Sequence, residues 1–176
     1  MGAMMISRAY KAVALLVFSL SLGSCEWKAA APLLPVSGAA APEIAGDYTM
    51  ALDGLPESAR IVRKQGKEFR FLDAENREMA FTLSPLDSPR EGTDLYLVQT
   101  TEKPGEYRYF IASIERGIIR VFLPLCKPTA ARPGMDVNCN FTSGEALRAA
   151  GQDIAAEMQT TRYQSSGFIV LRPKGK

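Results

Sequence analysis

Glu106 to Leu123 reads EYRYFIASIERGIIRVFL, and its pattern decides the fold class. Tyr107, Tyr109 and Ile111 alternate with Arg108 and Phe110, so a period of two places them on opposite faces of a strand. Arg116-Gly117 is a two-residue turn signal. After it, Ile119, Val121 and Leu123 share one face and Ile118, Arg120 and Phe122 the other. Both second faces mix apolar and charged residues. A half-buried second face predicts a curved sheet with something packed partly over it.

The same grammar extends outward. Short runs rich in branched and aromatic residues recur at Asp47–Leu52, Arg60–Arg63, Glu68–Leu72, Met79–Leu83 and Asp94–Thr100. Asp53-Gly54, Gly66, Asn76 and Pro104-Gly105 punctuate them. Short connections between successive runs favour an antiparallel meander. After Cys139 the period changes. Thr142-Ser143-Gly144-Glu145 fits a capping box, and Leu147, Ala150, Ile154 and Met158 form one apolar stripe at helical spacing. Gly167–Leu171, GFIVL, predicts a last strand. The expected fold is therefore mainly β (α+β): an antiparallel meander sheet or small barrel of seven to nine strands, with one late C-terminal helix. This order is similar to that of lipocalins. Their Gly-x-Trp is here Gly46-Asp47-Tyr48, so the likeness is one of element order alone.

The first 25 residues read differently. Residues 1–11 carry Arg8 and Lys11 and no acid, and Ala12–Leu22 is an unbroken run of mostly apolar residues. That length suits the core of a signal peptide and is too short to span a bilayer as a helix. Leu22-Gly23-Ser24-Cys25 follows, which resembles the lipobox of bacterial lipoprotein precursors. The resemblance implies that Cys25 is the lipidation site, that residues 1–24 are cleaved off, and that the new amino group is often acylated. One acyl chain holds a protein marginally at ~0.8 kcal/mol per buried CH₂, whereas two or three retain it firmly. The competing reading is an ordinary signal cut near Ala29-Ala30-Ala31, or an uncleaved anchor. Glu26, where many inner-membrane lipoproteins of enteric bacteria have Asp, leans toward the outer membrane.

Residues 25–44 are rich in Ala and Pro and read as a semi-rigid tether from the lipid to a β-rich domain at 45–176. Docking of Trp27, Leu33, Leu34 and Val36 onto the domain or the membrane interface is the alternative. Without residues 1–24, 19 basic residues face 19 acidic ones, so general nucleic-acid binding is not expected. The chain has no histidine. That excludes Ser-His-Asp and Cys-His catalysis and zinc sites of the HExxH kind.

Cys126 and Cys139 remain once Cys25 carries lipid. An even pair in an exported protein reads as a disulfide closing the loop 127–138. A metal pair or a reactive thiol is the alternative, and neither cysteine has a CxxC or histidine neighbour. Three clusters could carry function. Tyr96, Tyr107 and Tyr109 could line a cup for an apolar or glycan ligand, or be core. Arg63, Lys64 and Lys67, within the basic run Arg60–Arg70, could touch phosphate-bearing lipids or an acidic partner, or simply guard strand edges. Asp73, Glu75 and Glu78 around Arg77 could bind calcium or work as acids, or be a solvated turn. The Asn140-Phe141-Thr142 sequon is accidental in a bacterial lipoprotein.

Together these readings predict a lipid-anchored cell-envelope protein on the periplasmic face of a Gram-negative outer membrane. It would bind a small ligand or a protein partner without catalysis, as an inhibitor or assembly accessory, with the loop 127–138 as an insertion element. No cofactor and no metal are expected, and the membrane is met only through the N-terminal lipid. The rival is an envelope hydrolase using carboxylates.

Overall fold

The computed structural model describes residues 26–52, 55–88, 91–127, 131–159 and 165–175. Cys25 and residues 1–24, the expected signal segment, lie outside them. Among the described residues, nine strands and one α-helix follow one another: β1 (Trp27–Ala29), β2 (Gly46–Leu52), β3 (Leu55–Arg63), β4 (Glu68–Leu72), β5 (Glu78–Leu86), β6 (Asp94–Lys103), β7 (Glu106–Glu115), β8 (Ile118–Pro124), α1 (Gly144–Gln159) and β9 (Ser165–Pro173). Strands β2 to β9 pair antiparallel in chain order, and β9 returns to β2, so the meander closes into an eight-stranded barrel. Closure removes the free edges that an open sheet would present. β1 is the ninth strand, laid antiparallel along the first half of β7.

Register shows why β6 and β7 have two buried faces. Tyr96 lies opposite Ala112, Val98 opposite Phe110 and Leu83, and Phe69 opposite Phe81. These positions belong to the cluster that fills the barrel, with Tyr48, Met50, Ile61, Ile119 and Leu171. Phe69 and Phe81 stack at 5.4 Å between centroids. The alternate residues Leu97, Gln99, Tyr109 and Ile111 point outward, yet they too are buried. Leu97, Tyr109 and Ile111 sit in a second cluster with residues of α1 and β1. The mixed faces of Glu106–Leu123 thus reflect one cover packed over one side of a barrel.

α1 approaches closely because Gly151 meets Leu97. A Cβ at Gly151 would sit 3.0–3.2 Å from three Leu97 atoms. Gly144 opens the helix where the Leu33 carbonyl oxygen would lie 2.6 Å from an added Cβ. The cap is Ser143, one residue later than the expected Thr142: Ser143 Oγ accepts the Ala146 N–H at 3.4 Å. The shift follows from Gly144 being the first helical residue, which leaves Ser143 at the capping position.

The Ala/Pro-rich stretch differs most from expectation. Residues 26–44 are not a free spacer but a strap wrapped on the barrel. Trp27, Ala29, Leu34, Ala39 and Ile44 are all buried. The Lys28 N–H donates to the Cys139 carbonyl at 3.1 Å, and the Phe141 N–H donates to the Lys28 carbonyl at 2.7 Å. Further on, Ala40 bridges Leu83 on the part of β5 that extends beyond its pairing with β4, and Ile44 joins the barrel's own cluster. Its apolar residues have no regular period because the strap crosses the barrel instead of running as one element within it.

Candidate functional site

Two features compete as the working part of the molecule: the strap's polar clamps and a pit between α1 and the disulfide loop. The clamps come first, because they absorb most of the residues that sequence reasoning singled out. Gln99, on the outer face of β6, accepts the Leu33 and Leu34 N–H groups through Oε1, each at 3.0 Å. The Tyr109 hydroxyl donates to the same oxygen at 3.2 Å and accepts the Leu33 N–H at 3.2 Å. Burial pushes the Tyr109 phenol up to about 12, against the smaller opposing pull of the Leu33 N–H. Tyr109 is therefore a neutral structural hydroxyl at any physiological pH.

The three tyrosines do not form one cup. Tyr96 faces into the packed barrel, where burial and, secondarily, the nearby Asp94 charge raise its pKa. Tyr107 and Tyr109 face the opposite way, under β1. The basic run likewise turns inward on the protein itself. Arg63 donates to the Ala41 and Pro42 carbonyls, each at 2.8 Å, and its guanidinium lies 5.5 Å from the Phe69 ring centre. Lys67 donates to the Ser37 carbonyl at 2.9 Å. Lys64 is exposed. Proline-rich backbone cannot build a ladder, so its carbonyls are met here by side-chain cations.

The acidic cluster is a turn. Asp73 accepts the Glu75 and Arg77 N–H groups, each at 2.9 Å, and the Arg77 guanidinium at 2.6 Å. Burial pushes its carboxyl upward, but these bonds together outweigh that and hold it below the usual range. Glu75 lies 3.5 Å from the same guanidinium, while Glu78 turns away to pair with Arg70. The three acids do not converge. No cluster of three or more metal-ligating side chains occurs among the described residues.

Cys126 and Cys139 are joined in a disulfide with their Cα atoms 5.7 Å apart. The described part of the loop it closes, residues 131–138, folds back on α1. Met135 is buried, and Arg132 and Met135 exchange backbone hydrogen bonds. Asp136 accepts the Asn138 and Asn140 N–H groups and the Asn140 amide. The Asn140 bonds come first in lowering its carboxyl below the ordinary range. Met135 is thus spent on packing, and Val137, 57% exposed, is the loop's projecting apolar residue.

Between this loop and α1 lies a cavity of about 70 Å³. Its floor is apolar: Trp27, Leu125, Met135, Ala150 and Ile154, beside the buried Cys139. Its rim carries charges in pairs. Lys127 contacts Glu157 at 2.7 Å, and Arg132 contacts Asp153 at 2.6 Å. Asp153 and Glu157 are four residues apart on the helix, so they share a face. The volume is about half the ~150 Å³ of an engineered cavity that takes benzene, so a small aliphatic side chain fits. Both rim carboxylates are bridged by cations. The arrangement suits anchoring an apolar group inside a polar rim, the general form of a protein-binding hot spot. The sequence signal for it was present in Asp153 and Glu157 at helical spacing and Lys127 and Arg132 in the loop, but only the fold brings the pairs together.

No family model matches the chain, and neither a curated protein nor a solved structure matches it. Function therefore rests on the chain itself.

Proposed function

We propose that the protein is a cell-envelope lipoprotein, acylated at Cys25 and held on the periplasmic face of the outer membrane, that acts by binding a protein partner on its helix–loop face. The observation that carries the anchoring is the place of β1. A signal cut near Ala29–Ala31 would remove Trp27 and Ala29, which are 4% and 7% exposed, together with the strand that pairs with Tyr107–Tyr109 of β7. Losing a buried Trp alone costs about 3–5 kcal/mol. A cut before Cys25 preserves all of it. The Cys126–Cys139 disulfide supports an oxidising compartment.

Binding is supported by the pit, which pairs an apolar floor with a charged rim. An assembly accessory suits this face better than an inhibitor working through a projecting loop, because the Arg132–Asp153 pair and the buried Met135 tie the loop to the body.

Mass spectrometry of the mature protein tests the anchor. It should give a diacylglyceryl cysteine at residue 25 as the N-terminus. A mature N-terminus beyond that residue, or an unmodified thiol, overturns the reading. For the binding face, a photo-crosslinking residue at Asp153 should trap a defined envelope protein in cells, while the same residue at Val62 should not. Equal recovery from both positions removes the helix–loop face as the site.

A further inference from the structure

We infer that the acylated protein has no stalk and lies directly on the phospholipid surface, with the Val137 turn and the end of β8 against the headgroups. The inference rests on acylation of Cys25 and concerns how the folded domain meets the bilayer. Adjacent Cα atoms are about 3.8 Å apart, so Glu26 is one peptide from the lipid-bearing residue. Glu26 is not a flexible linker residue. Its side chain is 13% exposed and reaches Arg108 at 3.4 Å and Lys28 at 3.8 Å. Trp27, next in line, is 4% exposed. The chain therefore passes from lipid to folded barrel with no free backbone in which slack could accumulate.

The exit point fixes which side faces the bilayer. Glu26 shares a small crevice with Leu123 and Pro124, at the end of β8. Two residues on is Cys126, whose sulfur lies 3.5 Å from the Val137 carbonyl. The disulfide partner Cys139 accepts the Lys28 N–H. So Glu26–Lys28, the end of β8 and the Val137 turn form one patch. Within it Leu125 is half-buried and the Val137 side chain is 57% exposed, an apolar tip turned to solvent. The interfacial layer is only about 5–7 Å deep per leaflet, and a domain tethered by a single peptide rests in it. β3 is four strands from β7 around the ring of eight, so its outward Val62 faces away.

The test uses full-length acylated protein reconstituted in vesicles of phosphatidylethanolamine and phosphatidylglycerol, with acylation confirmed by mass on the same sample. Val137→Trp and Val62→Trp variants are compared with the wild-type Trp27 signal while the lipid carries brominated acyl chains. An indole at 137 should be quenched roughly twofold, as for a side chain at the membrane interface, and one at 62 should not. Circular dichroism and denaturation midpoints verify that both variants fold. Inserting about twenty Gly/Ser residues between Cys25 and Glu26, a spacer of roughly 25 Å, should abolish the difference. Acylated protein with equal quenching at the two positions overturns the inference and leaves the anchor standing. A spacer with no effect overturns the tetherless geometry. Absence of the acyl groups removes both readings.

Discussion

Breaking the Cys126–Cys139 bond should cost about 3 kcal/mol, and the loss should be felt first at β1. The two cysteines are 13 positions apart. For a closed loop of about 14 residues, the loop-entropy relation gives roughly 10 cal/mol/K, or about 3 kcal/mol at 25 °C. The structure adds a local consequence. Cys139 is 1% exposed and holds a left-handed backbone, φ 58°. Its carbonyl, with the Phe141 N–H, supplies the two backbone bonds that hold Lys28. Without the disulfide, residues 139–141 are still packed by Phe141, whose ring lies 5.2 Å from Trp27, but β8 no longer restrains them.

The assay compares the mature wild type with Cys126→Ala/Cys139→Ala in urea denaturation. Alanine avoids burying an unsatisfied hydroxyl, which serine would do at Cys139. With a slope near 2 kcal/mol/M, typical for small domains, the midpoint should fall by about 1.5 M. Hydrogen exchange should show the Lys28 and Phe141 amides losing protection before the barrel strands do. A midpoint shift of under about 0.3 M would refute the entropic argument. Uniform loss of protection across the barrel would refute the claim that the bridge acts locally on β1.

Three further outcomes follow from the same contacts. Trp27→Ala should lower stability by about 3–5 kcal/mol, measured by the denaturation midpoint, whereas a peripheral residue on a tether would cost almost nothing. Gln99→Leu leaves the Leu34 N–H without its acceptor and the Leu33 N–H with the Tyr109 hydroxyl; it should cost about 2–3 kcal/mol and raise exchange most at Leu34, with β6 itself unaffected. Asp73 is held below its ordinary range, so its stabilising contribution is complete above the unfolded carboxylate pKa and is lost as pH falls through the lower folded value. Asp73→Asn should therefore flatten the acid limb of a thermal-stability profile below about pH 5, and an unchanged limb would assign acid sensitivity to other carboxylates.

The barrel was legible because its strands carry their own punctuation. Glu68–Leu72 matches β4 end to end, and the Arg116-Gly117 turn sits between β7 and β8 with both residues at positive φ. β3 was read short, from Arg60, because Leu55–Ala59 contains Pro56 and Glu57 and lacks a clean alternation. Pairing with β2 on one side extends it, and a neighbour is something local propensity does not contain. Closure was not legible either. It depends on β9, separated from β8 by the disulfide loop and α1, finding both β8 and β2.

The strap escaped for a related reason, and it changes what the candidate residues mean. Ala and Pro in residues 29–42 predict an extended chain, and it is extended apart from one 3-10 turn at Val36–Gly38, but its free energy comes from partners far along the chain. Gln99 and Tyr109 reach back 65 residues or more. Arg63 and Lys67 donate to strap carbonyls more than 20 residues earlier. A tyrosine pair and a basic run look like ligand contacts when the segment they hold is assumed to be elsewhere. Once the strap is placed, most of their polar capacity is used internally. Accessible apolar surface lies at the pit between α1 and the loop and at the Val137 turn, on the side of the barrel where the strap begins. The two proposals about function therefore concern one side of the molecule: α1 and the loop form the cover on which a partner would dock, and the edge of that cover lies beside Glu26.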